Sequence, residues 1–506
     1  MEINPSELVR QFVISPNKSF MPPDWPILEK TGLYLATHPS LPVVDVFSSD
    51  SIHIGYLLGW PITPEGKVAH DSISLPARKH ELFSLTPSGE TQAEESLYEL
   101  AGRWVFALIA DEGCRLYLDP CGSQAAVYSP VLQIASATTA TIPVTAETDY
   151  DDELVRLMDI PNKDRWFPFG LTPRRSCHRL LPNHYLDLKT WTTHRHWPTG
   201  NLPVNADTGH ATRTVATSVK RSMQATLADR LVQCSITAGL DTRMFLACAR
   251  SDVPRMRFHT RDDYSWSSER DVYVAKHLAR RFGLSYELVP KATTPEADLV
   301  SWLERTGRCL AGNAWLSARM IDSFQDDTFI LTGIGGAIAR AYYWRAGDTP
   351  ATKVTVPLVI GRTKLPLNHD VVQAGERWLA DLPFGDALLT FDLFYLEQRV
   401  ACYSSPSRYG YTSPAVMIYP LAHRASIEAM LRLPSDYKIR EQLHKDIIAQ
   451  EWPELLSVPI NEDIGWPRFK KETRRILSGE PIKRMGGAIL RRTGMRSRTE
   501  VTNLTK

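Results

Sequence analysis

The stretch Leu231-Val-Gln-Cys-Ser-Ile-Thr-Ala-Gly-Leu-Asp-Thr-Arg-Met-Phe-Leu-Ala-Cys248 decides the fold that we predict for this chain. It begins as an apolar run, breaks at Thr237–Thr242, and continues with apolar residues at helical spacing. We therefore predict a buried strand, a tight turn and a helix. Gly239 would let the backbone approach a ligand closely, and the first helical turn would aim unpaired N–H groups and a partial positive charge at the same place. Such a place suits phosphate.

Three side chains of this turn carry oxygen atoms that could contact phosphate. Thr237 and Thr242 offer hydroxyl groups, and Asp241 offers a carboxylate that could hold Mg²⁺ bridging the phosphate oxygens. No Gly-Lys-Ser/Thr follows the glycine, so the turn is not the phosphate loop of kinases and GTPases. The alternative is an ordinary strand-to-helix turn in which an Asp or Thr caps the helix.

The turn resembles the pyrophosphatase loop of the asparagine synthetase family, Ser-Gly-Gly-x-Asp-Ser, which reads here Thr237-Ala238-Gly239-Leu240-Asp241-Thr242. Each departure keeps a small or hydroxylated residue. The resemblance implies that ATP binds at this turn and that Asp241 ligates Mg²⁺. It implies nucleotide contacts from the strand, the turn and the next strand, namely Ser235, Thr237, Ala238, Gly239, Asp241, Thr242 and Thr260.

A second stretch, Thr328-Phe-Ile-Leu-Thr-Gly-Ile-Gly-Gly-Ala-Ile-Ala-Arg340, again runs from an apolar strand into glycines and a helix. It resembles the family's Gly-x-Gly-x-Asp/Glu loop, and the matching nucleotide-contacting glycines are Gly333, Gly335 and Gly336. Ala337 stands where the family has an acid, so Mg²⁺ would rely more on water and on the phosphates. Either Arg340 neutralises pyrophosphate directly, or the ATP chemistry is weakened or lost. Ile334 replaces a tyrosine of the base dyad in β-lactam-forming relatives and cannot move protons, so ring closure by that dyad is not expected.

The first part of the chain, from Pro42 to about Trp197, is rich in strand patterns separated by turn residues. The segment Leu116–Tyr128 is similar to the "LDPxGxxxxYY" segment of the glutaminase-type domain of asparagine synthetases, and Phe169–Trp197 resembles the hairpin that closes it. The predicted strands are Val43–Phe47, His53–Trp60, Trp104–Ala110 and Cys114–Asp119. Roughly forty residues precede the first of them.

The nucleophile of that glutaminase domain is missing. Family members that use glutamine carry a cysteine directly after the initiator methionine, where the free amino group acts as its base. Here position 2 is Glu2, and no cysteine precedes Cys114. We therefore expect that glutamine is not hydrolysed and that this domain is a retained scaffold.

Beyond a linker at about 198–208, strands and helices alternate. We predict helices at about Ala211–Leu231 and at Ser268–Phe282, the second stopped by Gly283, with strands at Arg257–Thr260 and Ser285–Val289. Such alternation favours a doubly wound parallel sheet, which binds ligands at the carboxyl ends of its strands. Asp271 matches an acidic position of the family, but Ser268-x-x-Asp271 also reads as a local capping box.

The predicted fold class is α/β with three segments. Residues 1–200 form a β-rich domain like the N-terminal-nucleophile hydrolases, degenerate in its glutaminase site. Residues 205–465 form the doubly wound ATP-pyrophosphatase domain. Residues 466–506 form a basic tail, either mobile and solvated or able to capture an anionic substrate or carrier.

Two further residues are candidates for catalysis, alongside Arg340. Glu397 could accept a proton or anchor the acceptor amine, or it could form a solvated Glu–Arg pair. Lys445 matches the family's helix-borne lysine that meets the α-phosphate as the acyl-adenylate forms. The alternative for Lys445 is an ordinary surface lysine.

Composition excludes several classes. The 506 residues hold 58 Lys+Arg and 57 Asp+Glu, a balance that does not indicate nucleic acid or membrane as a partner. Seven scattered cysteines without Cys-x-x-Cys favour reduced thiols in the cytoplasm. The N-terminus lacks a signal-peptide pattern and no run reaches membrane-span length, so we expect an unexported, soluble protein, with a homodimer as an open alternative.

The resemblance implies an ATP-dependent, AMP-forming amide synthetase. A small-molecule carboxylate would be adenylated and then coupled to an amine that does not come from glutamine. Two rivals stay open: a catalytically impaired scaffold that binds nucleotide or a partner, motivated by Ala337 and Glu2, and a loop-sharing enzyme such as an RNA thiolase. The thiolase needs a reactive cysteine near the turn, whereas Cys234 inside the predicted strand is more simply core packing.

Overall fold

We describe the protein from a computed structural model, which covers residues 4–262, 266–290, 295–310, 324 and 327–462. The basic tail predicted from residue 466 onward lies outside the described residues. Within them, no helix combines the length and apolar character needed to cross a membrane. All seven cysteines are free and buried.

The first part of the chain forms two β-sheets with two helices, α1 (Gln92–Tyr98) and α2 (Asp152–Met158). The strands are β1 (Phe12–Ser15), β2 (Ile27–Lys30), β3 (Leu33–Thr37), β4 (Val43–Phe47), β5 (His53–Ile62), β6 (Ser72–Ser74), β7 (Ala101–Ile109), β8 (Cys114–Leu118), β9 (Ala126–Ser129), β10 (Ile134–Ser136), β11 (His178–Leu180), β12 (His184–Asp187) and β13 (Thr193–Arg195). One sheet has six antiparallel strands in the order β11-β9-β10-β1-β3-β2, and the other has seven in the order β13-β12-β8-β7-β5-β4-β6.

Strand β7 shows how the second sheet is buried on both faces. Val105 and Ala107 belong to the large apolar cluster that also contains Phe12 of the first sheet. The alternate residue Phe106 belongs to a separate cluster with Leu97 of α1. Successive side chains of a strand point to opposite faces, so β7 separates two cores, and its sequence reads as a continuous apolar run for that reason.

The residues before position 42 correct one sequence-based expectation. They are not an extension preceding the first strand, because β1, β2 and β3 lie there and β1 sits between β10 and β3 in the six-stranded sheet. The run Phe12–Ser15 is buried throughout. It therefore lacks the alternation of polar and apolar residues by which a strand is recognised in a sequence.

The second part of the chain contains a five-stranded sheet in the order β16-β15-β14-β17-β18, and every neighbouring pair is parallel. This confirms the predicted mixed α/β class with a parallel sheet. Its strands are β14 (Leu231–Ser235), β15 (Met256–Asp262), β16 (Tyr286–Pro290), β17 (Thr328–Leu331) and β18 (Val416–Ile418). The described helices are α3 (Thr208–Asp229), α4 (Leu240–Cys248), α5 (Trp266–Phe282), α6 (Glu296–Arg305), α7 (Val356–Ile360), α8 (His369–Ala380), α9 (Ala387–Phe394), α10 (Arg424–Leu431), α11 (Ser435–Ile439) and α12 (Gln442–Glu451), and a π-helix spans Tyr395–Ser404.

The helix boundaries differ from the predictions by a few residues, for local reasons. α3 ends at Asp229 because Leu231 already pairs with β17. α5 begins at Trp266, before Ser268. Gly283 has a φ of +67° and ends α5 as expected.

Glu397, on the π-helix, joins the two parts of the chain. Its fully buried carboxylate accepts hydrogen bonds from Arg195 Nη1 (2.7 Å) and Asn183 Nδ2 (2.7 Å) of the first part. It also accepts one from Trp378 Nε1 (2.7 Å) of the second part. Burial alone would raise the pKa of Glu397, but Arg195, then His184 and then Asn183 hold it below its ordinary value. The group is therefore a paired anion at the junction.

Replacing Glu397 with Gln is expected to lower the free energy of unfolding by about 3 kcal/mol, because Arg195 then faces an uncharged group and keeps only the more exposed Asp381 as an acidic partner. Urea titration measures this loss. The same change at Glu428, which pairs with Arg432 near the surface, is expected to change stability by less than about 0.5 kcal/mol. Equal losses in the two variants would contradict the role given to Glu397.

The difference between wild type and E397Q should also depend on pH. The folded-state pKa of Glu397 is depressed, so its stabilisation is fully present above the unfolded-state pKa of about 4.3. It is lost as the pH falls through the folded-state pKa. We therefore expect the two proteins to converge in stability in acid.

Candidate functional site

The two glycine turns lie side by side at one edge of the parallel sheet. β14 and β17 pair in parallel with Cys234 opposite Leu331, so both turns leave the sheet in the same direction. Asp241 of the first turn packs against the second. A Cβ on Gly333 would lie 2.9 Å from Asp241 Cβ, and a Cβ on Gly336 would clash with Asp241 Oδ1. The side chain of Asp241 therefore requires glycine at both positions.

The backbone of the second turn brings Arg340 back to Asp241. Gly335 adopts a φ of +101°, a left-handed conformation that favours glycine. The short 3₁₀-helix Gly336–Arg340 follows and ends at Ala341, which is also left-handed (φ 51°). Arg340 thus lies across the turn from Asp241.

The carboxylate of Asp241 is held between two basic side chains. Arg340 Nη2 donates a hydrogen bond to Oδ2 over 2.8 Å. His444 Nε2 lies 2.9 Å from Oδ1, at ion-pair distance but without the alignment of a hydrogen bond. Burial alone would raise the pKa of Asp241, but His444 and then Arg340 hold it below its ordinary value. Asp241 is therefore an anion whose charge the Arg340 guanidinium offsets.

This arrangement does not fit Mg²⁺ at Asp241. Mg²⁺ takes oxygen ligands in nearly octahedral geometry, whereas Arg340 and His444 face the two carboxylate oxygens. Ala337 of the second turn adds no oxygen ligand from its side chain. Across residues 4–462, excluding the gaps named above, no group of three or more His, Cys, Asp or Glu side chains is placed to hold a metal. The metal role of Asp241 stays a prediction, and it would require Arg340 to leave the carboxylate, because the guanidinium now supplies positive charge there.

The backbone amides of the first turn are engaged by side chains of the protein. Thr237 N donates to Thr242 Oγ1 (3.2 Å), and Gly239 N donates to Thr237 Oγ1 (3.1 Å). Ala238 N donates to Asp271 Oδ1 over 3.1 Å. Asp271 therefore supports the turn from α5, and the capping box predicted for it is wrong because α5 begins before Ser268. A phosphate at these three amides would have to displace the bonds that now satisfy them.

Two other predicted contacts support the same turn from the strands. Thr260 is buried, and its hydroxyl donates to the carbonyl of Ile236 over 2.5 Å. Ser235 Oγ lies 3.1 Å from His259 Nε2. Burial lowers the pKa of His259 to about 4, so this imidazole is neutral. Thr260 thus shapes the turn, whereas Ser235 faces a cavity.

That cavity, of about 280 Å³, opens beside the two turns at the carboxyl edge of the sheet. Arg261 and Arg408 give it positive charge, and Ile334 of the second turn forms part of its wall. Arg408 is oriented by a hydrogen bond from its Nε to Tyr419 Oη (3.1 Å). The other polar residues that line it are Ser235, His259, Thr332, Tyr403, Ser404, Ser407 and Tyr411. The carboxyl edge of a parallel sheet is where such folds bind ligands, and the charge of this cavity suits an anion.

The residues predicted for catalysis do not all join this site. Arg340 is in it, at Asp241. Lys445 Nζ donates to the carbonyl of Arg440 (2.7 Å), and the neighbouring His444 reaches Asp241 from the same helix. Glu397 is not brought to the turns, because its carboxylate is used at the junction of the two parts.

Several residues of the site were not predicted from the sequence. His259 and Arg261 flank Thr260, which was the residue predicted on this strand. The strand was therefore predicted, but the side chains that face the cavity were not. His444 stands one position before Lys445 on the same helix. Neighbouring side chains of a helix point in different directions, and it is His444 that points to Asp241. Arg408 follows the π-helix, and no sequence pattern pointed to it.

Cys234 bears on the thiolase alternative. It is buried in the main apolar cluster, and burial raises the pKa of its thiol to about 12. The thiol is therefore protonated and enclosed at neutral pH, as core packing predicts. The reactive cysteine that the alternative needs is not supplied at this position.

Comparison of the chain with models of known protein families and with curated protein sequences gave no match. The likeness to the pyrophosphatase loop consequently rests on the two turns themselves and on their geometry.

Replacing Gly336 with Ala is expected to lower the free energy of unfolding by about 1–3 kcal/mol, because the new methyl group would clash with Asp241 Oδ1. Thermal denaturation compares the variant with wild type. Gly385 is the matched control, since a Cβ there meets no atom within 4 Å, and its replacement by Ala should leave stability unchanged or slightly higher. A stable G336A would show that Asp241 is not packed against this glycine.

Mg²⁺ alone is expected to give no saturable binding, because Arg340 and His444 already hold Asp241. Titration calorimetry of the protein with MgCl₂ measures this, with NaCl at equal ionic strength as the control. Saturable Mg²⁺ binding that is lost in D241N would contradict the arrangement.

Proposed function

We propose that the protein is an ATP-dependent, AMP-forming amide synthetase. It would adenylate a small-molecule carboxylate and couple the acyl group to an amine from a source other than glutamine. In this proposal the first part of the chain is a degenerate domain of the glutaminase type, and the second is an ATP-pyrophosphatase domain. The free, buried thiols fit a reducing compartment such as the cytoplasm.

The observation that carries the proposal is the position of the cationic cavity. The two turns that match the nucleotide motif follow adjacent parallel strands, and the cavity with Arg261 and Arg408 opens at the same edge. A nucleotide at the turns and a carboxylate in the cavity would therefore be neighbours. Holding two reactants side by side is the main contribution that a ligase makes to the first step.

The residues of the chain supply positioning and charge in this reaction. Arg261 and Arg408 would attract the carboxylate. One carboxylate oxygen then attacks the α-phosphorus of ATP as the bond to pyrophosphate breaks. Arg340 would offset the developing phosphate charge, and Lys445 could join it only after leaving the Arg440 carbonyl. In the second step the amine nitrogen attacks the acyl carbon, AMP leaves and a proton is released.

The cysteines of the first part are not placed to attack glutamine. They are Cys114, Cys121 and Cys177. All three are buried, and burial raises the pKa of Cys177 to about 11. The amine would therefore be ammonia or, more directly, an amino group of an organic substrate.

A second candidate is a nucleotide-binding scaffold without ligase activity. It is favoured by the engagement of Asp241 by Arg340 and His444 and by the three turn amides that are bonded internally. Both features satisfy the site without a substrate. This candidate keeps ATP binding but predicts no chemistry.

ATP/pyrophosphate exchange over a panel of carboxylic acids distinguishes the two candidates. The synthetase predicts exchange with at least one acid, reduced about 100-fold or more in D241N because Arg340 loses the partner that positions it. D71N, a matched change at an exposed position, should retain full exchange. ATP binding without exchange for any acid would favour the scaffold.

A further inference from the structure

The residues that follow the short 3₁₀-helix Pro453–Ser457 return the chain to the first glycine turn. We call residues 458–461 the strap. Val458 is buried in the main apolar cluster, and Ile460 packs against that cluster. The strap is therefore part of the folded core of the second part of the chain.

A buried guanidinium holds the strap against the helix that follows the turn. Arg243 of α4 is fully buried. Its Nη1 donates a hydrogen bond to the carbonyl of Val458, and its Nη2 donates one to the carbonyl of Pro459 over 3.2 Å. The strap and α4 are thus fixed to each other.

The backbone of Asn461 is fixed on both sides. Its N–H donates to the carbonyl of Ala238 in the turn (2.9 Å), and its own carbonyl accepts a hydrogen bond from Arg270 Nη1 of α5 (3.2 Å). Asn461 has a φ of +56°, a left-handed conformation that asparagine adopts more readily than most residues. These contacts set the direction in which its side chain leaves the strap.

The side-chain amide of Asn461 lies beside Gly239. A Cβ built on Gly239 would be 3.7 Å from Asn461 Oδ1. Asn461 is exposed, and its amide makes no hydrogen bond within the part of the chain that the structure describes. A half-turn about χ2 exchanges Oδ1 and Nδ2, and no bond opposes that rotation. Asn461 therefore offers an unengaged N–H donor at a turn whose own amides at positions 237–239 are bonded internally.

We propose that Asn461 is a nucleotide-binding residue whose side-chain amide donates a hydrogen bond to a phosphate oxygen of ATP. This inference rests on the proposed function, which assigns the phosphates to the two glycine turns. A hydrogen bond to a charged phosphate oxygen is stronger than one between neutral groups. The strap holds the amide beside Gly239 before the nucleotide arrives, so little conformational freedom is lost on binding.

Titration calorimetry of the full-length protein with ATP, and separately with inorganic pyrophosphate, tests this assignment. N461G removes the amide, N461D replaces it with a carboxylate of the same shape, and both new residues tolerate a left-handed backbone. We expect N461G to bind each ligand about tenfold more weakly, because one hydrogen bond to a charged group is lost. N461D should bind each about fiftyfold more weakly, because its carboxylate also repels phosphate.

Two measurements separate this contact from a structural role of Asn461. N201D, a matched change at an exposed residue of the linker before α3, should bind both ligands as wild type does. The melting temperature of N461D without ligand should stay within about 2 °C of wild type, because the altered side chain is exposed and unbonded. A lower melting temperature with unchanged affinities would show a structural role and overturn the proposal.

Three binding results would also overturn it. If wild type and N461D bind ATP and pyrophosphate equally well, Asn461 is not a ligand-binding residue, and the proposed function stands without it. If N461D weakens ATP binding but not pyrophosphate binding, Asn461 does not contact the phosphates. If wild type binds neither ligand, the proposed function fails and this inference fails with it.

Discussion

The buried carboxylate of Glu397 helps to hold the two parts of the chain together, and one wall of the candidate site depends on the helix that carries it. The group is carried by the π-helix Tyr395–Ser404 and is held by Arg195 and Asn183 across the junction. Tyr395, the first residue of this π-helix, lies near Asp241, and burial followed by the charge of Asp241 raises the pKa of its hydroxyl group. Its last two residues line the cationic cavity. The contacts of Glu397, distant from the turns, therefore help to position one wall of the site.

At Asp241 the partners that the sequence motif predicts differ from the partners in the folded protein. A match to a pyrophosphatase loop suggests a carboxylate awaiting a metal, whereas the folded protein gives that carboxylate Arg340 and His444 as partners. Offsetting a buried anion with a fixed cation, here the Arg340 guanidinium, is a physical alternative to a metal ion. The positive charge of Arg261 and Arg408 lies beside the turns, in the wall of the neighbouring cavity.

Local patterns predicted the architecture better than the site. The strand at Leu231, the turn and α4 followed from an apolar run interrupted by small residues, and the parallel sheet followed from alternating elements. β1 was missed because strands buried on both faces carry no alternation. His444 and Arg408 were missed because their roles arise from packing between segments distant in sequence, and the partners of Glu397 stand about 200 residues before it, at Asn183 and Arg195.

The packing of Asp241 against Gly333 and Gly336 has a consequence for how such chains diverge. Glycines that hold a neighbouring carboxylate in place are retained by selection for folding alone. A lineage could lose its catalytic turnover and still keep the glycine signature intact for as long as the aspartate remained. The signature would then record ancestry and steric fit, and the arginines that line the cavity would be released to drift.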